Sequence, residues 1–185
     1  MAPQPAEDVV IVPYDAIWAG IFRFERRRIR EALLPWVQEI EHIGSTSVAG
    51  LAAKPIIDIL VGLRRLEDAR ECIPRMEALG YEYVPESKLH RPLEGRQFFR
   101  RVDEKGLRSH HVHIVAVTSE FWEREILFRD YLRWHPHVAR QYEQLKRDLA
   151  VRFRTDRDAY TDGKSAFIRT VQDMAREERD KKKPR

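Results

Sequence analysis

The sequence predicts an α+β fold: a mixed β-sheet backed by helices, with a C-terminal helical layer. Three observations carry that expectation. Short apolar runs and amphipathic helical stretches interleave through residues 1–118, in the order helix, strand, helix, strand, helix, strands. From 119 to 185 the pattern is helical throughout. The chain has 185 residues, 43% of them hydrophobic and 10% aromatic, which is enough to bury a sizeable core. The expected organisation is an α/β core over 1–118 and a helical segment over 119–185 packed on it. Residues 1–8 and the basic end 180–185 are expected to be flexible.

The elements follow from local pattern. Val9 to Pro13 is a short apolar run that Pro13 ends, an edge-strand candidate. From Ala16 to Val37 the apolar residues Ile17, Ile21, Phe24, Ile29, Leu33 and Leu34 recur at helical spacing. Arg and Glu fill the other face, and Pro35 ends or bends the helix. Gln38 to Ile43 reads as a strand feeding Gly44-Ser45. Ser45 or Ser47 then caps a short helix towards Leu51. A second strand covers Ile56 to Leu63. A helix covers Leu66 to Leu79, stopped by Gly80. Tyr81 to Val84 is a short strand and Pro85 to Arg96 a polar loop. Gln97 to Val102 and Leu107 to Val117 are strands joined by Asp103-Glu104-Lys105-Gly106. Three helices are expected at Ser119 to Trp134, Val138 to Phe153 and Lys164 to Arg179.

Charge and composition restrict the function classes. Charged residues make up 35% with both signs mixed, and the net charge is +4. The basic excess lies in Arg23 to Arg30 and at the C-terminus, a bias that suits phosphate-bearing partners. The lone Cys72 excludes an internal disulfide and a Cys-based zinc site. No apolar run is long enough for a membrane span, and the N-terminus lacks a secretory pattern. These features predict a soluble protein of the cytoplasm.

The candidate chemistry centres on Gly44-Ser45-Thr46-Ser47 and Asp58. Backbone N–H groups at a helix start, with hydroxyl donors from Ser45, Thr46 and Ser47, bind phosphate oxygens. Asp58 sits on the next strand, where a carboxylate can hold Mg²⁺ against a triphosphate. Working nucleotidyltransferases carry a second acid two residues on, on the same face of the strand. Here that position is Leu60. In Ser109-His110-His111-Val112-His113, alternation puts His111 and His113 on one face and His110 on the other. Asp58 with His111 or His113 makes a candidate catalytic group and a candidate site for a divalent metal (Mg²⁺, Mn²⁺ or Zn²⁺). His42 lies just before the turn. Lys54 and Lys164, with Arg96, Arg100 and Arg101, are the cations that could offset phosphate charge. Phe121, Trp122, Ile126, Leu127, Tyr131 and Leu132 read as packing, and Arg129-Asp130 as an internal ion pair.

The block His42 to Asp58 is long and unusual. With Tyr14, Trp18 and Phe24, Gly80-Tyr81, Phe98-Phe99, His111-Val112-His113, Phe128 to Arg133, Tyr142, Leu145-Lys146, Leu149-Ala150 and Tyr160 with Lys164, it resembles the GrpB family over almost the whole chain. One departure is Ala49, where the family usually has Pro. The resemblance implies a nucleotidyltransferase-like fold with trailing helices. Some members of that family are fused to dephospho-coenzyme A kinase, which suggests a nucleotide or a coenzyme A-like ligand. The expected function is metal-dependent nucleotidyl transfer, or binding of a nucleotide or another phosphorylated small molecule. The alternative is a non-catalytic nucleotide- or coenzyme A-related binding domain, favoured by Leu60. RNA binding ranks third, because no strand interleaves aromatic and basic residues.

Overall fold

The first helix, α1 (Ile17–Ala32), begins where expected and stops before Leu34-Pro35. The residue before a proline is biased away from helix and proline offers no N–H, so Val37 starts a strand and does not end the helix. The buried stripe of α1 also differs from expectation. It contains Trp18, Glu25 and Ile29, whereas Ile17, Phe24 and Leu34 are exposed. By its charge alone, Glu25 is expected with the other Arg and Glu residues on the outer face. It is only 2% exposed because Tyr81, Arg28 and Arg101 all hydrogen-bond its carboxylate.

A computed structural model describes residues 8–89, 92–93 and 95–182. The flexibility expected of residues 1–7 and 183–185 lies outside the described residues, as do 90, 91 and 94 of the expected loop. Asp180 to Lys182 continue the last helix.

Five strands form one mixed sheet. They are β1 (Val37–Ile43), β2 (Ile57–Leu63), β3 (Glu82–Tyr83), β4 (Gln97–Val102) and β5 (Arg108–Ala116). Their spatial order is β1-β2-β5-β4-β3, with β2 and β5 parallel and the other pairs antiparallel. The expected edge strand at Val9 to Pro13 reduces to one antiparallel bridge, Val12 with Ala53. The helix expected over Leu66 to Leu79 splits into a 3₁₀ turn at Leu66–Asp68 and α2 (Ala69–Ala78).

Strand alternation sorts the two sheet faces. Ile57, Ile59, Val61 and Leu63 of β2, with Val112 and Ile114 of β5, pack on one side against Trp18, Ile29, Cys72 and Met76 of α1 and α2. On the other side Leu60, Ile43 and Val115 meet Phe121, Trp122 and Ile126 of α3 (Glu120–Trp134). Ser119 caps α3 through its hydroxyl, which accepts from the Trp122 N–H at 3.2 Å. Helices α4 (Pro136–Arg152), α5 (Arg157–Gly163) and α6 (Ser165–Lys182) complete this layer. Helix α5 was not anticipated. Asp156 caps it, accepting from the Ala159 N–H at 2.9 Å. A second apolar cluster joins Val48 and Leu51 to Phe128, Leu132, Val138, Tyr142 and Val171, so the turn after β1 is clamped by the helices.

Candidate functional site

The turn after β1 is built around a glycine whose backbone and surroundings both disfavour a side chain. Gly44 has φ +68° and ψ −174°, a conformation essentially confined to glycine. A Cβ there would stand 2.4 Å from Oδ2 of Asp58. The carboxylate therefore rests against bare backbone. The short helix expected after this turn is a three-residue 3₁₀ turn, Ser45–Ser47. A single turn sums few peptide dipoles, so the expected attraction of a helix N-terminus for phosphate does not apply.

The hydroxyls of the turn divide by what they already bind. Thr46 is buried; its hydroxyl donates to Ile56 O at 3.2 Å and lies 3.0 Å from Nε2 of His42. Ser47 donates its hydroxyl to Gly44 O at 2.6 Å, and its backbone carbonyl accepts from Arg133 at 2.9 Å. Neither has a hydroxyl proton left for a phosphate. Ser45 and Thr46 both line the cavity, and Ser45 is within hydrogen-bond reach of Tyr142. His42 stacks on Phe22 with ring centroids 4.7 Å apart, and burial pushes its pKa down to about 4. It braces the turn as a neutral ring and does not line the cavity.

Sheet register brings Asp58 beside His111, and Leu60 beside His113. Nδ1 of His111 is 3.0 Å from Oδ1 of Asp58. Burial raises the Asp58 pKa, but the His111 hydrogen bond and the fields of His111, His113 and Lys54 outweigh it, leaving it lowered. Burial also lowers the His111 pKa against the pull of Asp58. The pair is thus a carboxylate accepting from a neutral imidazole, with the proton on Nδ1. His113 is pushed down to about 3 by burial and by Arg96. His111 Nε2 and His113 Nδ1 are buried without a hydrogen-bond partner.

Facing this row is a cavity of about 340 Å³ between the sheet and α3–α6. That lies within the range of small-ligand pockets, about 300–1,000 Å³. Gly44, Ser45, Thr46, Lys54, Asp58, His111, His113 and Lys164 line it, so the structure gathers those expected site residues. It separates Ser47, Arg100 and Arg101 from them. Arg100 pairs with Glu82 at 2.7 Å, and Arg101 reaches Glu25 and His110 on the opposite face of the sheet. Arg96 lies over the Phe121 ring, 4.5 Å from its centroid.

The helical layer adds groups, Lys146, Tyr142 and Tyr160, that carry the family resemblance but have no site role in the sequence reading. Lys146 is 2% exposed, donates to Ala52 O and lies 5.0 Å from the Tyr142 ring centroid. Lys54 and Lys164 flank the Tyr160 ring at 4.9 and 4.5 Å. Burial, then repulsion from Arg157 and Lys164, pushes the Lys54 pKa down to about 6. Burial and Lys164 push Lys146 down to about 7. A signal for Lys146 existed: with Tyr142 and Leu149 it falls at i, i+4, i+7 along the buried stripe of α4. Phe121, read as packing, also lines the cavity. The Arg129–Asp130 ion pair is present at 2.8 Å, and Arg129 also binds Glu41 and His42 O on β1.

Fold and cavity together define an α+β protein with a lysine-lined cleft between its sheet and its helical layer. Residues 8–174 match the family model described as GrpB protein, and the chain belongs to that family. UPF0157 protein YqkA of Bacillus subtilis is 37% identical, over 93% of this chain and 48% of its own length. The crystal structure of conserved protein GrpB from Enterococcus faecalis matches with a TM-score of 0.81 at 36% identity, over 91% of this chain and 98% of that one. A more distant relative is a dephospho-CoA kinase of Mycolicibacterium paratuberculosis, 27% identical over 87% of this chain and 44% of its own length. The chain spans about half the length of YqkA. Among the described residues, no helix is long and apolar enough to cross a membrane.

Proposed function

We propose that the cavity binds a nucleotide or another phosphorylated small molecule. The observation that carries this is the convergence of Lys54, Lys146 and Lys164 on one cavity beside Gly44 and Ser45. Burial first, and then nearby cations, Lys164 among them, depress the protonation of Lys54 and Lys146 in this poorly solvated space. A polyanion adds negative charge beside these amines, and each charge-assisted hydrogen bond to it is stronger than a neutral one. Ser45 adds a hydroxyl.

A divalent ion at Asp58, His111 and His113, the nucleotidyltransferase-like expectation, is a poorer fit to these side chains. Among the described residues no three His, Cys, Asp or Glu side chains come together as a metal-holding group. His111 spends Nδ1 on Asp58. The place of a second acid is Leu60, fully buried with Ile43 and Val115. Binding without transfer is therefore the reading favoured. Transfer is the second reading, and its support is His111 Nε2, a lone pair oriented by Asp58 and without a partner.

The test is calorimetric titration with ATP, CTP and coenzyme A, in EDTA and in Mn²⁺, with product analysis. The dephospho-CoA kinase relative is the reason for including coenzyme A. Metal-independent binding that weakens about tenfold or more in Lys164→Gln supports the first reading. Turnover that requires Mn²⁺ and disappears in Asp58→Asn replaces it with the second.

A further inference from the structure

The cavity has two chemically different ends. Around Tyr160 and Tyr142 stand the three lysines. At the other end three rings form a wall. His113 stacks on Phe98 with centroids 5.0 Å apart and planes 26° apart, and Phe121 is tilted against His113 at 5.5 Å. All three rings line the cavity and are only half-buried, so they offer apolar surface that a flat ligand ring can cover.

The wall is not purely apolar. His113 keeps Nδ1, and its neighbour His111 keeps Nε2, buried without a hydrogen-bond partner. A hydrocarbon ring would leave both nitrogens unsatisfied, whereas a ring with polar edge atoms can answer them. A sugar phosphate would fill the cationic end and leave the aromatic wall uncovered.

We propose that the ligand is specifically a nucleotide, its base on the wall of Phe98, His113 and Phe121 and its phosphates at Lys54, Lys146 and Lys164. This rests on the phosphate-site reading above and adds the ring to it. Stacking is sequence-tolerant, because every base has a π-face. The wall thus separates nucleotides from other phosphates more sharply than it separates one base from another.

The experiment is titration of the full chain with ATP, UTP, ribose 5-phosphate and tripolyphosphate. It is repeated in Phe121→Leu, Phe98→Leu and Lys164→Gln, with thermal melts to show that each variant is folded. The expected result is nucleotide affinity about tenfold or more above that of tripolyphosphate, the usual scale of base stacking on an aromatic side chain. Both Phe variants should lose that margin and keep their tripolyphosphate affinity, while Lys164→Gln weakens both ligands. Equal affinity for nucleotides and tripolyphosphate overturns the nucleotide assignment and leaves the phosphate site. So does a nucleotide affinity unchanged in both Phe variants, or a parallel loss of both ligands in them. If no phosphate compound binds, both readings fall.

Discussion

At the scale of single residues, the contact of Gly44 with Asp58 is a tight constraint on the turn after β1. Gly44→Ala forces a left-handed backbone on a residue with a Cβ and drives that Cβ into the carboxylate. The expected cost is about 1–3 kcal/mol of stability, together with loss of phosphate binding, read by chemical denaturation and calorimetry. Lys54 and Lys146 give a pH dependence with a definite sign. Below about pH 6 Lys54 is charged in both the folded and unfolded chain, and the cost of burying that charge is fully present. As pH rises from about 6 towards the ordinary lysine value of 10.5, the unfolded chain holds the proton that the folded chain has released. Stability from this source therefore increases with pH across that window. Lys146 acts in the same sense from about 7 upward. Denaturant midpoints between pH 6 and 9 should rise, and Lys54→Met should flatten the slope; an unchanged slope in that variant would remove Lys54 as its cause. Anion binding reverses the shift, so association near neutral pH should take up protons and its enthalpy should depend on the buffer's ionisation heat.

At the scale of elements, two devices hold helices to the sheet. Gly62 on β2 leaves room for α3: a Cβ there would lie 2.3 Å from Val117 Cγ1 and 2.7 Å from the Trp122 ring. Gly62→Ala must push α3 off the sheet, at about 1–3 kcal/mol, and should shift Trp122 fluorescence. On the opposite face Glu25 links α1 to β4 and to Tyr81. Removing it as Glu25→Ala strands the Tyr81 hydroxyl and Arg101, which is only 21% exposed. The expected loss is about 3–5 kcal/mol, measured by urea denaturation. The strands were legible because alternation survives in short segments: Gln97 to Val102 was placed to the residue, and His111 and His113 fell on one face as alternation requires. Glu25 was not legible, because periodicity scores a residue by its own polarity. Its partners come from Tyr81 and Arg101, more than fifty positions away. Helix α5 was missed for a different reason: at seven residues it has too few turns to show a stripe, and only its Asp156 cap marks it.

At the scale of the whole molecule, the two expected segments share their apolar contacts. Leu60 and Val115 of the sheet close against Phe121, Trp122 and Ile126, and Val48 and Leu51 are buried among α3, α4 and α6. Unfolding should therefore be one cooperative event. Far-ultraviolet circular dichroism and tryptophan fluorescence should give coincident denaturation curves, since Trp18 lies in the first segment and Trp122 in the second. Separated curves would show two independent units. This shared packing also explains how much of the cavity could be foreseen. Asp58, His111, Lys54 and the glycine turn announce themselves by residue type and strand position. Lys146, Tyr142 and Phe121 look like ordinary helix positions until α3 and α4 are laid over the sheet.

The cavity's cationic end has a temporal consequence. Asp58 on β2 precedes Lys146 on α4 and Lys164, at the junction of α5 and α6, by more than eighty positions. A nascent chain holding the complete sheet still lacks two of the three amines and the Tyr160 ring between them. Contacts of such long sequence separation form late, because the loop they close must be paid for first. On the proposed reading, ligand capture requires that α4 to α6 have docked, and a chain cut before Lys146 should not bind the ligand even when its sheet is intact.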